Sequence, residues 1–165
     1  MRYSRGFTLV ELMITLAVAA IILGFAAPNF QNMILHNTAN RDRDTLYNAL
    51  VYARTEAIKR GKRVAICKST NTTSCDSTAA WTSGWLIFED LDGDSTLDAG
   101  EMILRVQSAL SSGMSLAYSG GANVIWFDGV GRSSGAGDFQ FTHSSGNADY
   151  SRTVKLSSTG RVRKE

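Results

Sequence analysis

The chain has 165 residues, 44% hydrophobic and 19% charged, with a formal net charge of +2. That balance reads as globular and excludes a disordered chain. About 135 residues lie beyond the apolar N-terminal stretch, enough for one domain that buries roughly two-thirds of its unfolded surface.

The first element is that stretch. Phe7 to Ala27 is a run of 21 residues whose only clearly polar members are Thr8, Glu11 and Thr15. A helix of that length reaches about 30 Å, one hydrocarbon core. Arg2 and Arg5 precede it and no Lys or Arg follows before Arg41. This asymmetry puts a short N-terminus in the cytoplasm and the bulk of the chain outside. Glu11 is the anomaly, because a carboxylate inside a membrane span costs about 2.5–3.5 kcal/mol on insertion scales. Either it lies near the interface and snorkels, or it meets a positive charge at the same depth. Cutting after Gly6 would create such a charge, a new α-amino group on Phe7, supplied by a neighbouring copy. A removable secretory signal peptide is the rival reading, with cleavage near Gly24-Phe25-Ala26-Ala27. Glu11 speaks against it, since such apolar regions rarely carry a charge.

The segment Gly6-Phe7-Thr8-Leu9-Val10-Glu11-Leu12, behind a short basic leader, resembles the processing site of type IV prepilins and of the pseudopilins of type II secretion. The resemblance implies that a membrane-embedded aspartyl peptidase cuts after Gly6, that Phe7 is then N-methylated, and that Glu11 guides assembly with other pilin or pseudopilin subunits. It further implies a non-enzymatic subunit with no small-molecule substrate and no cofactor. The expected organisation is a cleaved leader at 1–6, a transmembrane and assembly helix at 7–27, and a periplasmic domain at 28–165. The protein would sit in the inner membrane by a single pass until it enters a filament.

Pro28 is the only proline. It removes the hydrogen bond to the carbonyl of Gly24 and predicts a kink or weak turn. The helix then resumes, with Phe30, Met33, Ile34, Leu46, Leu50, Ala53, Ala57 and Ile58 recurring near the helical period, while 40–44 are polar. Lys59-Arg60-Gly61 is a stop signal. The helix therefore ends near Arg60, about 80 Å from its start. Its apolar stripe needs a cover, and six β-rich runs supply one. They are 64–67, 84–88, 102–106, 124–127, 139–141 and 153–156, closely spaced with no helical pattern between them. The expected fold is α+β, a long N-terminal helix whose second half packs against antiparallel sheet. Trp81, Trp85, Trp126, Phe127, Phe139 and Phe141 should bury, most of them on strand faces. A strand reading Gly-Trp-Leu-Ile-Phe, an acidic loop, a further strand and a Gly-Arg-Val-Arg ending together resemble the minor pilins and pseudopilins of the FimT/GspH kind.

Cys67 and Cys75 have seven residues between them in a Ser/Thr/Asn loop, without a C-x-x-C or a His pair. Outside the cytoplasm that spacing points to a disulfide and away from zinc. Asp90, Asp92, Asp94, Asp98 and Glu101 fall at positions 1, 3, 5, 9 and 12 of an EF-hand calcium loop. Position 6 is Ser95 where that loop wants glycine, and the flanks read as strands. Calcium ligation and a hairpin loop whose carboxylates cap backbone amides both stand. Gly131-Arg132-Ser133-Ser134-Gly135, with Asp138 and His143 after it, matches a hydrolase pattern, but no strand-to-helix elbow follows. No nucleotide fingerprint is present.

From residue 150 onward Arg152, Lys155, Arg161, Arg163 and Lys164 outweigh Glu165, a local +4 that leaves −2 for the remainder. If 161–163 are extended, Arg161 and Arg163 share a face about 7 Å apart, the spacing of successive phosphates on one strand. The Gly160-Arg161-Val162-Arg163 ending resembles that of FimT-type minor pilins that capture DNA, which implies DNA binding through Arg161 and Arg163. The charge of Lys164, Arg152 and Lys155 beside them adds to the candidate surface, and phosphate contacts of this kind would be independent of sequence. The alternative for the ending is a solvated basic edge. For the whole protein the basic C-terminus points to a minor pilin of a type IV pilus, and the alternative is a GspH-like pseudopilin of type II secretion.

Overall fold

The computed structural model describes residues 6–165, without the side chains of residues 25–29. The leader residues 1–5, the kink or weak turn expected at Pro28 and the apolar side chains 25–27 lie outside that description. Two compact units divide the chain, Met1–Asn37 and Thr38–Glu165. One 52-residue helix, α1 (Leu9–Arg60), contributes to each.

Within the first unit the large apolar side chains of α1 are exposed on all sides, from Leu9 through Leu23. Phe30, Met33 and Ile34 are also open, so the buried stripe is shorter than the periodicity predicts. Among the described residues no helix is long and apolar enough to cross a membrane. The span expected at 7–27 finishes on three residues whose side chains are not described.

In the second unit α1 buries Ala39, Leu46, Ala49, Leu50, Ala53 and Ala57. The i, i+4 spacing of Ala49, Ala53 and Ala57 makes a seam of small side chains on one face. The helix stops where Gly61, at φ 63°, turns left-handed. The Lys62 amide then reaches the Ala57 carbonyl at 3.3 Å and the Gly61 amide the Ile58 carbonyl at 3.3 Å. These two bonds form a Schellman motif, which satisfies the last carbonyls. Ile58, expected to bury, is half exposed, because it stands about 100° around the helix from the seam residue Ala57.

Eight strands follow: β1 (Arg63–Lys68), β2 (Trp85–Asp90), β3 (Ile103–Gln107), β4 (Met114–Tyr118), β5 (Val124–Phe127), β6 (Gly137–His143), β7 (Arg152–Leu156) and β8 (Val162–Lys164). They form two four-stranded sheets, in orders β3-β2-β1-β5 and β4-β6-β7-β8. Every pairing is antiparallel. The inner faces meet the helix seam in one core that holds Trp81, Trp85, Phe127, Phe139 and Phe141. The first sheet is covered on its other face too, where Ala65, Cys67, Leu86 and Phe88 pack with Cys75, Leu97, Val124 and Trp126. Two loops bring that cover, 69–84 with its disulfide and 91–102 with its acids. Trp126 belongs here, half-buried, and not in the main core.

Polar residues lock the helix to the sheets. Asp42, expected on the solvated side, is 3% exposed, because the loop between β3 and β4 folds over it. Its carboxylate accepts from the Ser111 amide at 3.3 Å and the Ser111 hydroxyl at 2.9 Å. On the far side Lys164 lies 4.7 Å above the Tyr47 ring and 3.3 Å from Asp44. Arg60 pairs with Glu56 at 2.6 Å and also reaches Glu89 on β2.

Candidate functional site

Three clusters hold the residues with chemistry. The first is the N-terminal end of α1. Gly6 and the exposed Phe7 lie ahead of the helix, and Thr8 is its N-cap. The Thr8 amide and hydroxyl both donate to Glu11 Oε2, at 3.0 and 2.9 Å, and the Glu11 amide donates back to Thr8 Oγ1 at 3.3 Å. This is a capping box, in which two otherwise orphaned amides are satisfied reciprocally. Glu11 therefore has a partner inside its own chain. The sequence carries that signal as Thr-x-x-Glu, and a reading centred on charge and depth overlooks it.

The second cluster joins the disulfide loop to the acidic loop. Cys67 and Cys75 are bonded, with S–S 2.01 Å. Asp76, next to Cys75, accepts from the Thr78 hydroxyl at 2.6 Å and its amide at 2.9 Å. These bonds hold its carboxyl below the ordinary carboxylate range. Across a cavity of about 320 Å³ lie Ser95 and Thr96. Ser95 takes the left-handed conformation itself, at φ 69°, as position 6 of a calcium loop does. Carboxylate oxygens of Asp90, Asp92 and Asp94 lie within 4.8 Å of one another.

Those carboxylates already have partners in the chain. Asp90, Asp92 and Asp94 accept from the amides of Gly93, Asp94 and Thr96 at 2.9, 3.2 and 2.6 Å. Glu101 spends both oxygens on the amides of Leu91 and Asp98, at 2.7 and 3.1 Å. Arg63, at the start of β1, supplies the cation. Its guanidinium sits 3.1 Å from Asp90 Oδ2 and donates to the Gly93 carbonyl at 2.6 Å and the Ser95 hydroxyl at 2.9 Å. It also stacks 4.1 Å above the Trp126 ring. The Asp90 side chain is fully buried.

The third cluster is the C-terminal hairpin. β8 pairs with β7 so that Leu156 faces Val162, Lys155 faces Arg163 and Val154 faces Lys164. Val154, Leu156 and Val162 pack into the core. Alternation then turns Lys164 toward α1 and turns Lys155 and Arg163 outward. The register sorts the five predicted basic residues in this way. Arg152 points inward and donates to Asn40 Oδ1 at 2.7 Å. Lys164 is held by Asp44 and Tyr47. Lys155 faces outward but pairs with Glu165 at 2.8 Å, which raises its ammonium above the ordinary lysine range. Arg161 and Arg163 are exposed, and neither side chain has a hydrogen-bond or ion-pair partner among the described residues. Gly160, buried at φ 76°, makes the turn that presents them.

The hydrolase-like segment does not assemble. Asp138 and His143 stand at opposite ends of β6, and His143 Nδ1 contacts Ser145 Oγ at 2.9 Å.

A long N-terminal helix with a capped Glu11 near its start, laid by its second half against two antiparallel sheets, defines a type IV pilin-like protein. A prokaryotic N-terminal methylation motif matches residues 1–27. The family model described as type II transport protein GspH matches residues 42–160, and the chain belongs to that family. No curated protein matches in sequence. Among solved structures, the type IV minor pilin FimU of Pseudomonas aeruginosa is similar, with TM-score 0.61 and 18% identity over 78% of this chain and 89% of that one. The minor pseudopilin EpsH from the type 2 secretion system of Vibrio cholerae is similar, with TM-score 0.57 and 14% identity over 78% of this chain and 96% of that one. At such identities these likenesses concern the fold. The chain is thus a structural subunit of a pilus or pseudopilus, not an enzyme, and it assembles with other subunits of its kind.

Proposed function

We propose that this protein is a minor subunit of a type IV pilus whose C-terminal hairpin holds DNA without regard to sequence. The observation that carries the reading is the pair Arg161 and Arg163, exposed, without a partner among the described residues and presented on one side by a buried Gly160. Guanidinium groups so placed grip phosphate oxygens and carry no base information. Arg161 and Arg163 by themselves neutralise two phosphates, which contributes roughly −1.8 to the slope of log K against log salt on duplex DNA. That is shallower than the roughly −2.7 expected if three of the five basic residues were free. The test compares wild type with Arg161→Gln and Arg163→Gln in a gel shift at low salt. Equal affinity in all three leaves the hairpin with a structural role only.

Assembly in this proposal runs through the N-terminus. A prepilin peptidase cuts after Gly6, Phe7 is methylated, and the apolar helix anchors the subunit in the inner membrane with the second unit in the periplasm. A helix whose large apolar side chains are open on every side calls for an apolar surrounding. In the filament Glu11 exchanges its Thr8 contacts for a neighbour's Phe7 amine. Glu11→Val should insert into the membrane and fail to incorporate; normal incorporation refutes the assembly role. The second reading, a pseudopilin of type II secretion, is favoured by the matched family's description. Deleting the protein and measuring twitching, DNA uptake and exoprotein secretion separates the two, and a pure secretion defect selects the pseudopilin.

A further inference from the structure

The loop between β5 and β6 repeats the local design of the C-terminal turn. Each contains a glycine at positive φ, Gly131 at 82° and Gly160 at 76°, and each glycine is followed by an exposed arginine, Arg132 and Arg161. The two turns touch. A side chain at Gly160 would collide with the Gly131 carbonyl. The Ser133 amide donates to the Ser158 carbonyl at 3.1 Å. Arg54 of α1 donates to both turns, to the Gly131 carbonyl at 3.0 Å and the Thr159 carbonyl at 3.4 Å. Consecutive Cα atoms are about 3.8 Å apart, so arginines one residue beyond two touching glycines stand on neighbouring points of one surface.

From this geometry we infer that Arg132 is a third phosphate-gripping residue of the same surface, extending the Arg161–Arg163 strip across the two clamped turns. The inference rests on the DNA-binding reading above. Arg132 is 72% exposed. Its Nε lies 2.8 Å from Asp128 Oδ2, and its backbone amide donates to Asp128 Oδ1 at 2.8 Å. One edge of the guanidinium is thereby fixed, and the remaining N–H groups stay open for a phosphate. Asp128 acts on the strip in two ways: it orients Arg132, and it places a negative charge where a phosphate would come.

The test uses the full chain in detergent micelles and a labelled mixed-sequence duplex, with binding followed by fluorescence anisotropy over a range of salt. Wild type should show a slope of roughly −2.7, three phosphates, and Arg132→Gln roughly −1.8. The R132Q melting midpoint should equal that of wild type. Asp128→Asn should bind more tightly than wild type, because it removes the competing charge. An R132Q slope equal to wild type, while R161Q and R163Q weaken binding, overturns this inference and leaves the proposed function standing. If R132Q fails to fold, D128N decides, and unchanged affinity in D128N overturns it. No binding by wild type at low salt overturns both.

Discussion

Replacing Arg63 with Met probes how the acidic loop is held. The guanidinium is the only cation in contact with Asp90 Oδ2 among the described residues, and the Asp90 side chain is fully buried while that of Arg63 is 25% exposed. Removing one partner of a buried pair strands the other charge, at about 3–5 kcal/mol. The partial exposure of Arg63 argues for the low end, about 3 kcal/mol, to which loss of the stack on Trp126 adds roughly 0.5–1 kcal/mol. Against a total stability of about 5–15 kcal/mol this is a large fraction. Urea unfolding of a 29–165 fragment, followed by tryptophan fluorescence, should show it as a lower midpoint at unchanged slope. The double variant Arg63→Met, Asp90→Asn should recover most of the loss, since removing both charges leaves nothing stranded. A cost under about 1 kcal/mol for R63M, or no recovery in the double variant, refutes the account. Calcium belongs to the same experiment. Millimolar calcium should leave the wild-type midpoint unmoved, because Arg63 already neutralises Asp90 and Glu101 is committed to two amides. A raised midpoint would show that the ion displaces these contacts.

Changing both Cys67 and Cys75 to Ser opens a short loop that closes the second face of the first sheet, and should cost about 2–3 kcal/mol in the same unfolding assay. Gly160→Ala forces a Cβ onto the Gly131 carbonyl at a left-handed φ, and should cost about 1–3 kcal/mol and weaken DNA binding together. The carboxyl of Asp76 is held low by Thr78, so its contribution to stability is present above the ordinary carboxylate range and is lost as pH falls through its depressed value. Acid unfolding of Asp76→Asn should lack that component, and an acid limb identical to wild type counts against it.

Much of the fold is legible in the chain because its signals are local. The helix ends where a cationic turn meets Gly61, and six strands announce themselves as β-branched and aromatic runs. β4 escapes such a reading because Met114-Ser115-Leu116-Ala117-Tyr118 alternates correctly with residues of weak strand preference. β8 is three residues long and largely charged, so only its pairing with β7 defines it. The stripe fails at Phe30, Met33 and Ile34 because periodicity records a face without recording whether anything covers it. The candidate site is legible as positions and illegible as directions. Register alone turns Arg152 and Lys164 toward the helix and leaves Arg161 and Arg163 without a partner among the described residues. Arg63 earns no notice in one dimension, and Arg132 shows only as the variable position of a hydrolase-like pattern, since each acquires its meaning from a loop about 30 residues away in the chain.

The alanine seam of α1 divides the work of filling space. With Ala49, Ala53 and Ala57 on the helix side, beside Leu46 and Leu50, the largest core side chains are Trp81, Trp85, Phe127, Phe139 and Phe141, none of them on α1. Volume lost at one of these positions can be regained at another, because several large neighbours share the same interior. The seam has no such latitude. Any side chain larger than alanine there wedges helix and sheet apart, at about 1–3 kcal/mol. Compensating exchanges in this protein should therefore run between strands, while the three alanine positions stay intolerant whatever the sheets contain.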